Sequence, residues 1–202
     1  MGSMRIEICS DTIPGTVLKK ESMENVTGRE FLDKIFFISN GVMLSQIKEI
    51  SGLDGSTLQN WIKRGWVGSA VNKRYSKDQL ARILIINMMR KSMQLERIDF
   101  LLRYINGNLD CREDDIIPES ELYGYICALL ELIEREDACG GSLRDNIEKC
   151  AQNYSERIAG ARLRLINALE IIICSYYSSL IQLHCDDLYA DLAGGVNHGG
   201  LV

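Results

Sequence analysis

The sequence predicts a mainly α-helical chain in two parts, with a small β wing at most. Three observations carry this. Apolar residues recur at steps of three and four through most of the chain. Two cap signals, Thr27 with Glu30 and Ser76 with Gln79, stand just ahead of such runs. Between the runs lies one basic, Gly-punctuated segment, 65–75, of the kind that turns back on itself. Composition agrees: 202 residues, 46% hydrophobic and 25% charged, are the proportions of a globular protein with room for one core and a second helical element.

The opening MGSM reads as a cloning remnant, with Met4 as a natural start. Weak periodicity and the break at Pro14-Gly15 make 1–26 a flexible, strand-poor arm. Residues 27–107 are expected to form the first domain. Its first helix starts at the Thr27/Glu30 box, and its apolar side, Phe31, Leu32, Ile35 and Phe36, should complete that domain's core.

The organising stretch is 44–105. A short helix from Gln46 to Ser51, capped by Ser45 and closed by Gly52, leads through a turn into a second helix capped by Asp54. Leu58, Trp61 and Ile62 share one face of that helix. Ser56, Thr57, Gln59, Asn60, Lys63 and Arg64 are left on the other. In the following loop, Gly65 and Gly68 permit turns, Trp66 and Val67 anchor it, and Lys73, Arg74 and Tyr75 close it. From Ser76 a helix repeats Leu80, Ile83, Leu84 and Met88 to about Lys91, with Arg82, Arg90 and Lys91 outside, and a further helix opens at Leu95-Glu96.

Two helices, a basic loop and two more helices make a winged helix-turn-helix, and the residue types suit double-stranded DNA. Gln and Asn amides can bond adenine edges, Ser and Thr reach bases or phosphates, and Lys and Arg reach guanine or the backbone. The expectation is therefore that Ser56, Thr57, Gln59, Asn60, Lys63 and Arg64 form a recognition face and Lys73, Arg74 and Tyr75 a wing contact. Charge distribution agrees. Between 44 and 105 eleven Lys and Arg face five Asp and Glu, a net +6 that leaves −11 for the rest of a chain totalling −5.

These residues also carry a resemblance. Residues 53–66 with KRYSKDQL and QLERIDFLL resemble the N-terminal winged helix-turn-helix of MerR-type transcriptional regulators. The Thr57-Leu58 pair, Gly65, the Arg74-Tyr75 wing closure, the Ser76-capped helix and Leu95-Glu96 match that pattern. Where that family carries an Arg and a paired aromatic, this chain has Gln59 and Asn60. GSTLQNWIKRGWV with KRYSKDQLARILIINMMR is more similar still to a bacterial family labelled domain of unknown function 1836. The MerR resemblance implies a DNA-binding regulator that dimerises through a C-terminal helix.

An acidic hinge containing Glu113, Asp114 and Asp115 reads as a solvated charge run. Residues 116–193 are expected to form a helical dimerisation or effector region. Pro118 opens a helix with Leu122, Tyr125, Ile126, Leu129, Leu132 and Ile133 as its buried stripe. Gly140-Gly141 ends it, and Ser142 caps another. From Leu143 to Leu183 apolar residues follow an eleven-residue repeat, that of a nearly straight long helix, with Asn153 and Gly160 as the places where it would break. Beyond Arg164 the stripe widens, so a second layer is needed. A partner chain packing on Leu165, Leu169, Ile172, Ile173, Tyr176 and Leu180 is the expected cover. The Gly-rich 194–202 is expected to be disordered.

Seven cysteines without a CxxC pair read as buried small hydrophobes. Cys139/Cys150 and Cys174/Cys185 are each eleven apart, so each pair would share a face of a continuous helix. No catalytic set, metal triad or phosphate loop appears, so no enzyme activity and no cofactor is expected. With no run of about 18 uninterrupted apolar residues and no secretory signal, the expectation is a cytoplasmic protein without a membrane partner. The function expected is sequence-specific binding of double-stranded DNA as a homodimer. Two alternatives stay open: a protein-interaction adaptor that keeps the helix-turn-helix shape, and an effector-sensing regulator with an unidentified small ligand between the helices from Pro118 and Ser142.

Overall fold

α4 (Lys77–Met89) is the axle of the fold. In this computed structural model, which describes residues 10–23, 26–107, 109, 113–136 and 142–196, every α4 residue from Leu80 to Met89 except Asn87 is buried. The run LARILIINMM is apolar almost all round, and a helix of that kind is stable only when covered on every side. The cover comes from α1 (Gly28–Ile38), α2 (Leu44–Ser51), α5 (Leu95–Asn106), α6 (Glu119–Glu136) and α8 (Ala161–Val196). α3 (Gly55–Lys63) lies between α2 and the wing, and α7 (Leu143–Cys150) packs on α6 and α8. Among the described residues there is no strand, only three isolated bridges.

The starts of these helices follow local chemistry. The Thr27 and Ser76 boxes form as expected, with Glu30 accepting from the Thr27 amide at 3.0 Å and Gln79 from the Ser76 amide at 2.8 Å. Asp54 caps α3. Its carboxylate accepts from the Thr57 amide at 2.7 Å, the Thr57 hydroxyl at 2.8 Å and the Ser56 hydroxyl at 2.5 Å. These donors hold the Asp54 pKa well below the ordinary carboxylate range, the Ser56 hydroxyl foremost. α2 begins after Met43, two residues earlier than the Ser45 cap predicts, and ends on left-handed Gly52 (φ 68°).

Several expectations are corrected. The arm 1–26 is not free over its described part: Ile13 is 1% exposed, Tyr123 Oη donates to Pro14 O at 2.7 Å, and the Val17 amide donates to Ile50 O at 3.0 Å. Residues 1–9 lie outside the described residues. α1 packs chiefly on α6 and secondarily on α4, so one apolar cluster runs from Ile13 to Tyr176 across the expected domain boundary. Cys127 sits inside it, and burial pushes its thiol up to about 12. The helix from Ser142, whose continuity the sequence left open, breaks across the span that holds Asn153 and Gly160. α7 ends at Cys150, a 3-10 turn covers Ala151–Asn153, and Gly160 is left-handed (φ 80°) before α8. Cys139 lies outside the described residues, whereas Cys174 and Cys185 share continuous α8 and are exposed. The expected disordered tail is helical to Val196, and 197–202 lie outside the described residues.

Arg82, expected outside, is 3% exposed. Its Nε donates to Trp66 O at 2.5 Å, Nη1 to Glu119 at 3.3 Å and Nη2 to Asp99 at 3.3 Å. Burial pulls its pKa down, and the two carboxylates oppose that.

The expected interface residues also move inward. Leu165, Leu169, Ile172, Ile173 and Tyr176 are buried within the single chain and Leu180 is half-buried, because α4, α5 and α7 join α6 in covering α8. Ala161–Ala193 is long and apolar enough to cross a membrane by length and composition alone, and half of its most apolar window is buried in this fold.

Two stability outcomes follow. Arg82→Ala strands two carboxylates in the interior and is expected to cost about 3–5 kcal/mol in urea denaturation, far above an exposed ion-pair deletion such as Arg64→Ala. For Asp54, the folded pKa lies below the unfolded one, so its contribution is whole above about pH 4 and is lost as pH falls below that. Asp54→Asn should therefore flatten the acid limb of the stability curve while leaving the neutral-to-alkaline limb parallel to wild type.

Candidate nucleic-acid interface

α3 presents the candidate face because its other side is pinned. Leu58 and Trp61 are 0% and 1% exposed and Ile62 is half-buried. With those three inward, helix geometry turns Ser56, Gln59, Asn60 and Lys63 outward, and all four are exposed. Among the described residues, no part of the C-terminal half covers them. Left-handed Gly65 (φ 72°) then ends the helix with its amide on Ile62 O at 3.0 Å, and the Trp66 amide reaches Trp61 O at 3.0 Å. Buried Trp66 and Val67 fix where the loop leaves.

The wing is a minimal hairpin. Val71 and Arg74 exchange both backbone hydrogen bonds at 2.9 Å, with Asn72 and Lys73 at its tip. Both tip residues have positive φ, 50° and 62°, the geometry of a type I′ turn and matched to the twist of paired strands. Lys73 is carried at this tip, exposed. A second pairing, Val42 with Tyr75, ties the base of the hairpin to the strand-like residue before α2.

Not every expected contact residue is available. Tyr75 is 3% exposed and belongs to the core, because its backbone pairs with Val42 and its ring fills the space behind the wing. Arg74 is exposed, but its Nη1 donates to Ser39 Oγ at 3.1 Å and Gly41 O at 2.8 Å, so it fastens the wing to the α1–α2 loop. The Ser56 and Thr57 hydroxyls are both engaged by Asp54. Arg64 turns back along the protein, 3.3 Å from Glu96 and 5.1 Å above the Trp66 ring. The outward set thus reduces to Gln59, Asn60 and Lys63 on α3 and Lys73 at the wing tip.

The positive charge expected over 44–105 is similarly thinned. Arg82 is buried in its network, Lys77 pairs with Asp33, and Arg103 pairs with Asp99 at 2.7 Å. Sequence reading missed Arg82 and Asn87. Asn87 Nδ2 donates to Gly15 O and Ser51 O, both at 2.9 Å, locking the N-terminal segment and the end of α2 onto α4. Neither residue touches the outward face, but together they set the angle at which α2 and the wing leave the core.

Comparison with known proteins gives a family and one relative. Residues 30–126 match the model of the family described as Domain of unknown function (DUF1836). The chain is also 26% identical over 164 residues to uncharacterized protein YkrK of Bacillus subtilis (strain 168), an alignment covering 75% of this chain and 70% of YkrK. No solved structure matches. The matched region begins in α1, takes in the helix-turn-helix, the wing, α4 and α5, and ends within α6. Over residues 30–126, then, the chain is similar to the DUF1836 family, and over most of its length to one uncharacterized bacterial protein.

Proposed function

We propose that the protein is a cytoplasmic, sequence-specific double-stranded DNA-binding regulator that acts as a homodimer, with a MerR-like winged helix-turn-helix as its reading head. One observation carries the reading. α3 is rigidly seated by Trp61 and Leu58 and exposes two amides and a lysine on consecutive turns, with a lysine-tipped hairpin following it in the chain.

That inventory matches what a groove requires. An α-helix fits the major groove, and Gln59 and Asn60 carry the amide pattern that pairs with adenine N6 and N7. Lys63 and Lys73 act as phosphate contacts, which position without selecting sequence. Arg64 and Arg74 serve instead as braces for the helix end and the wing. Tyr75 takes no part in contact.

The roles separate by experiment. DNA fragments from the source genome are selected on the purified protein and sequenced, and affinities for the enriched site are measured by fluorescence anisotropy. Asn60→Ala and Gln59→Ala are expected to cost about 1–3 kcal/mol on the selected site and to relax preference at one base pair each. Lys73→Ala should weaken all sequences alike and lower the slope of log K against log salt by about 0.9. If no sequence is enriched, or affinity is independent of salt, the reading fails.

A further inference from the structure

We infer that a cavity behind the N-terminal segment is a binding site for a small primary amine with an apolar body, and that the segment carries the effect of this ligand to α2. The cavity, about 190 Å³, is walled by the N-terminal segment, the start of α1, α6 and α8. Ile13, Pro14, Leu130 and Tyr176, all buried, give it an apolar lining. An apolar cavity of about 150 Å³ already holds benzene, so one aromatic ring with a short side chain fits.

Charge selects the ligand. Lys20 Nζ lies 3.3 Å from Glu134, and both side chains are about one-third exposed, so the pair stands where the cavity meets solvent. Glu131 belongs to the same wall. Two carboxylates against one ammonium leave the mouth net negative. The start of α1 also reaches the wall through Thr27 and Gly28, but its positive end is already answered, because Glu30 accepts from the Thr27 amide at 3.0 Å. Buried Cys127 brings no charge, since its thiol, pushed up to about 12, stays protonated near neutral pH. A cation is therefore the favoured guest, and a primary ammonium brings three N–H donors to the two carboxylates.

The residues that line the cavity also reach the helix-turn-helix. Residues 11–20 fold back on themselves, with the Lys20 amide on Asp11 O at 2.7 Å and the Ile13 amide on Leu18 O at 2.9 Å. This hairpin gives Ile13, Pro14 and Lys20 to the cavity, and Tyr123 Oη of α6 holds Pro14 O at 2.7 Å. Its turn is fixed to α4 and α2. Gly15 O accepts from Asn87 Nδ2 at 2.9 Å, the Val17 amide donates to Ile50 O at 3.0 Å, and a Cβ at Gly15 would collide with Leu84 O. A guest that packs on Ile13 and Pro14 from behind adds contacts to a hairpin whose front is bonded to α2, and so seats both more firmly. The site itself does not depend on DNA; only what the ligand regulates rests on the DNA reading.

The test contains no DNA, so either inference can fail alone. Full-length protein is titrated by isothermal calorimetry with 2-phenylethylamine, and with 2-phenylethanol and phenylacetate as its neutral and anionic counterparts. The amine is expected to bind at least about tenfold more tightly than either. Glu134→Gln should weaken its binding by about tenfold or more. Val26→Phe, at a half-buried residue of the wall, fills the cavity and should abolish binding. Glu134 is exposed, so its variant decides the question even where Val26→Phe fails to fold. On adding the amine, hydrogen exchange should slow at the Val17 amide and stay unchanged over 181–193. Absence of binding, equal affinity for the three probes, or preference for phenylacetate overturns the amine site. Affinity unaltered in Glu134→Gln overturns it as well. Binding without slower exchange at Val17 overturns the link to α2.

Discussion

A guanidinium cannot sit in a protein interior unless its charge is met there, and that constraint governs how this chain is assembled. Arg82 is buried at the centre of α4 and is met from three directions: the wing loop through Trp66 O, α5 through Asp99, and α6 through Glu119. Removing any of the three elements leaves a desolvated charge unanswered, which costs far more than the intact pair contributes. The wing loop and the C-terminal helices are therefore joined by an obligation of charge as well as by apolar contact. Asp99 is itself held by Arg103 at 2.7 Å, so the anion is oriented before Arg82 reaches it.

What could be read from the sequence was what local chemistry decides. The Thr27 and Ser76 boxes, the Gly52 and Gly65 stops and the inward face of Trp61 all depend on residues within four positions of one another. Each stands where the pattern placed it. What could not be read depends on distant partners. Nothing near Arg82 announces Glu119, 37 positions away. Nothing near Pro14 announces that its carbonyl will accept from Tyr123, so a segment with weak periodicity looked free when it was pinned. A reader could have found one signal: LARILIINMM holds a single charge in an apolar run, and a helix with no polar face implies that its one cation is buried.

The long C-terminal repeat shows a subtler limit. Of the stripe that periodicity picked out, Ile147, Ala161, Leu165, Leu169, Ile172 and Tyr176 are buried, Leu143, Cys150, Tyr154, Ile158 and Leu180 are half-buried, and Leu183 is exposed. Periodicity could not tell what buries it. Counting α6 as the only intramolecular cover made a partner chain seem necessary, whereas α4 and α5 also reach α8, and Arg164 fastens its start to Tyr104 O at 3.0 Å. The phase survives the break at Gly160 because the chain re-enters helix with the same side inward. A period specifies a face and not its neighbour.

Seen this way, α8 has two faces with separate tasks, and their separation follows from where the body ends. Along 161–180 one face is packed on α4, α5, α6 and α7 while Ile171, Cys174 and Ser178 look outward. Past Leu180 the body stops and the helix does not, so the inward face loses its cover too, leaving Leu183 41% exposed. A helix that outlasts its own support must find other apolar surface or fray. Because α4 clamps the wing loop through Arg82 and packs on α8, the direction in which that overhang leaves the body is fixed relative to the wing by the packing of α4.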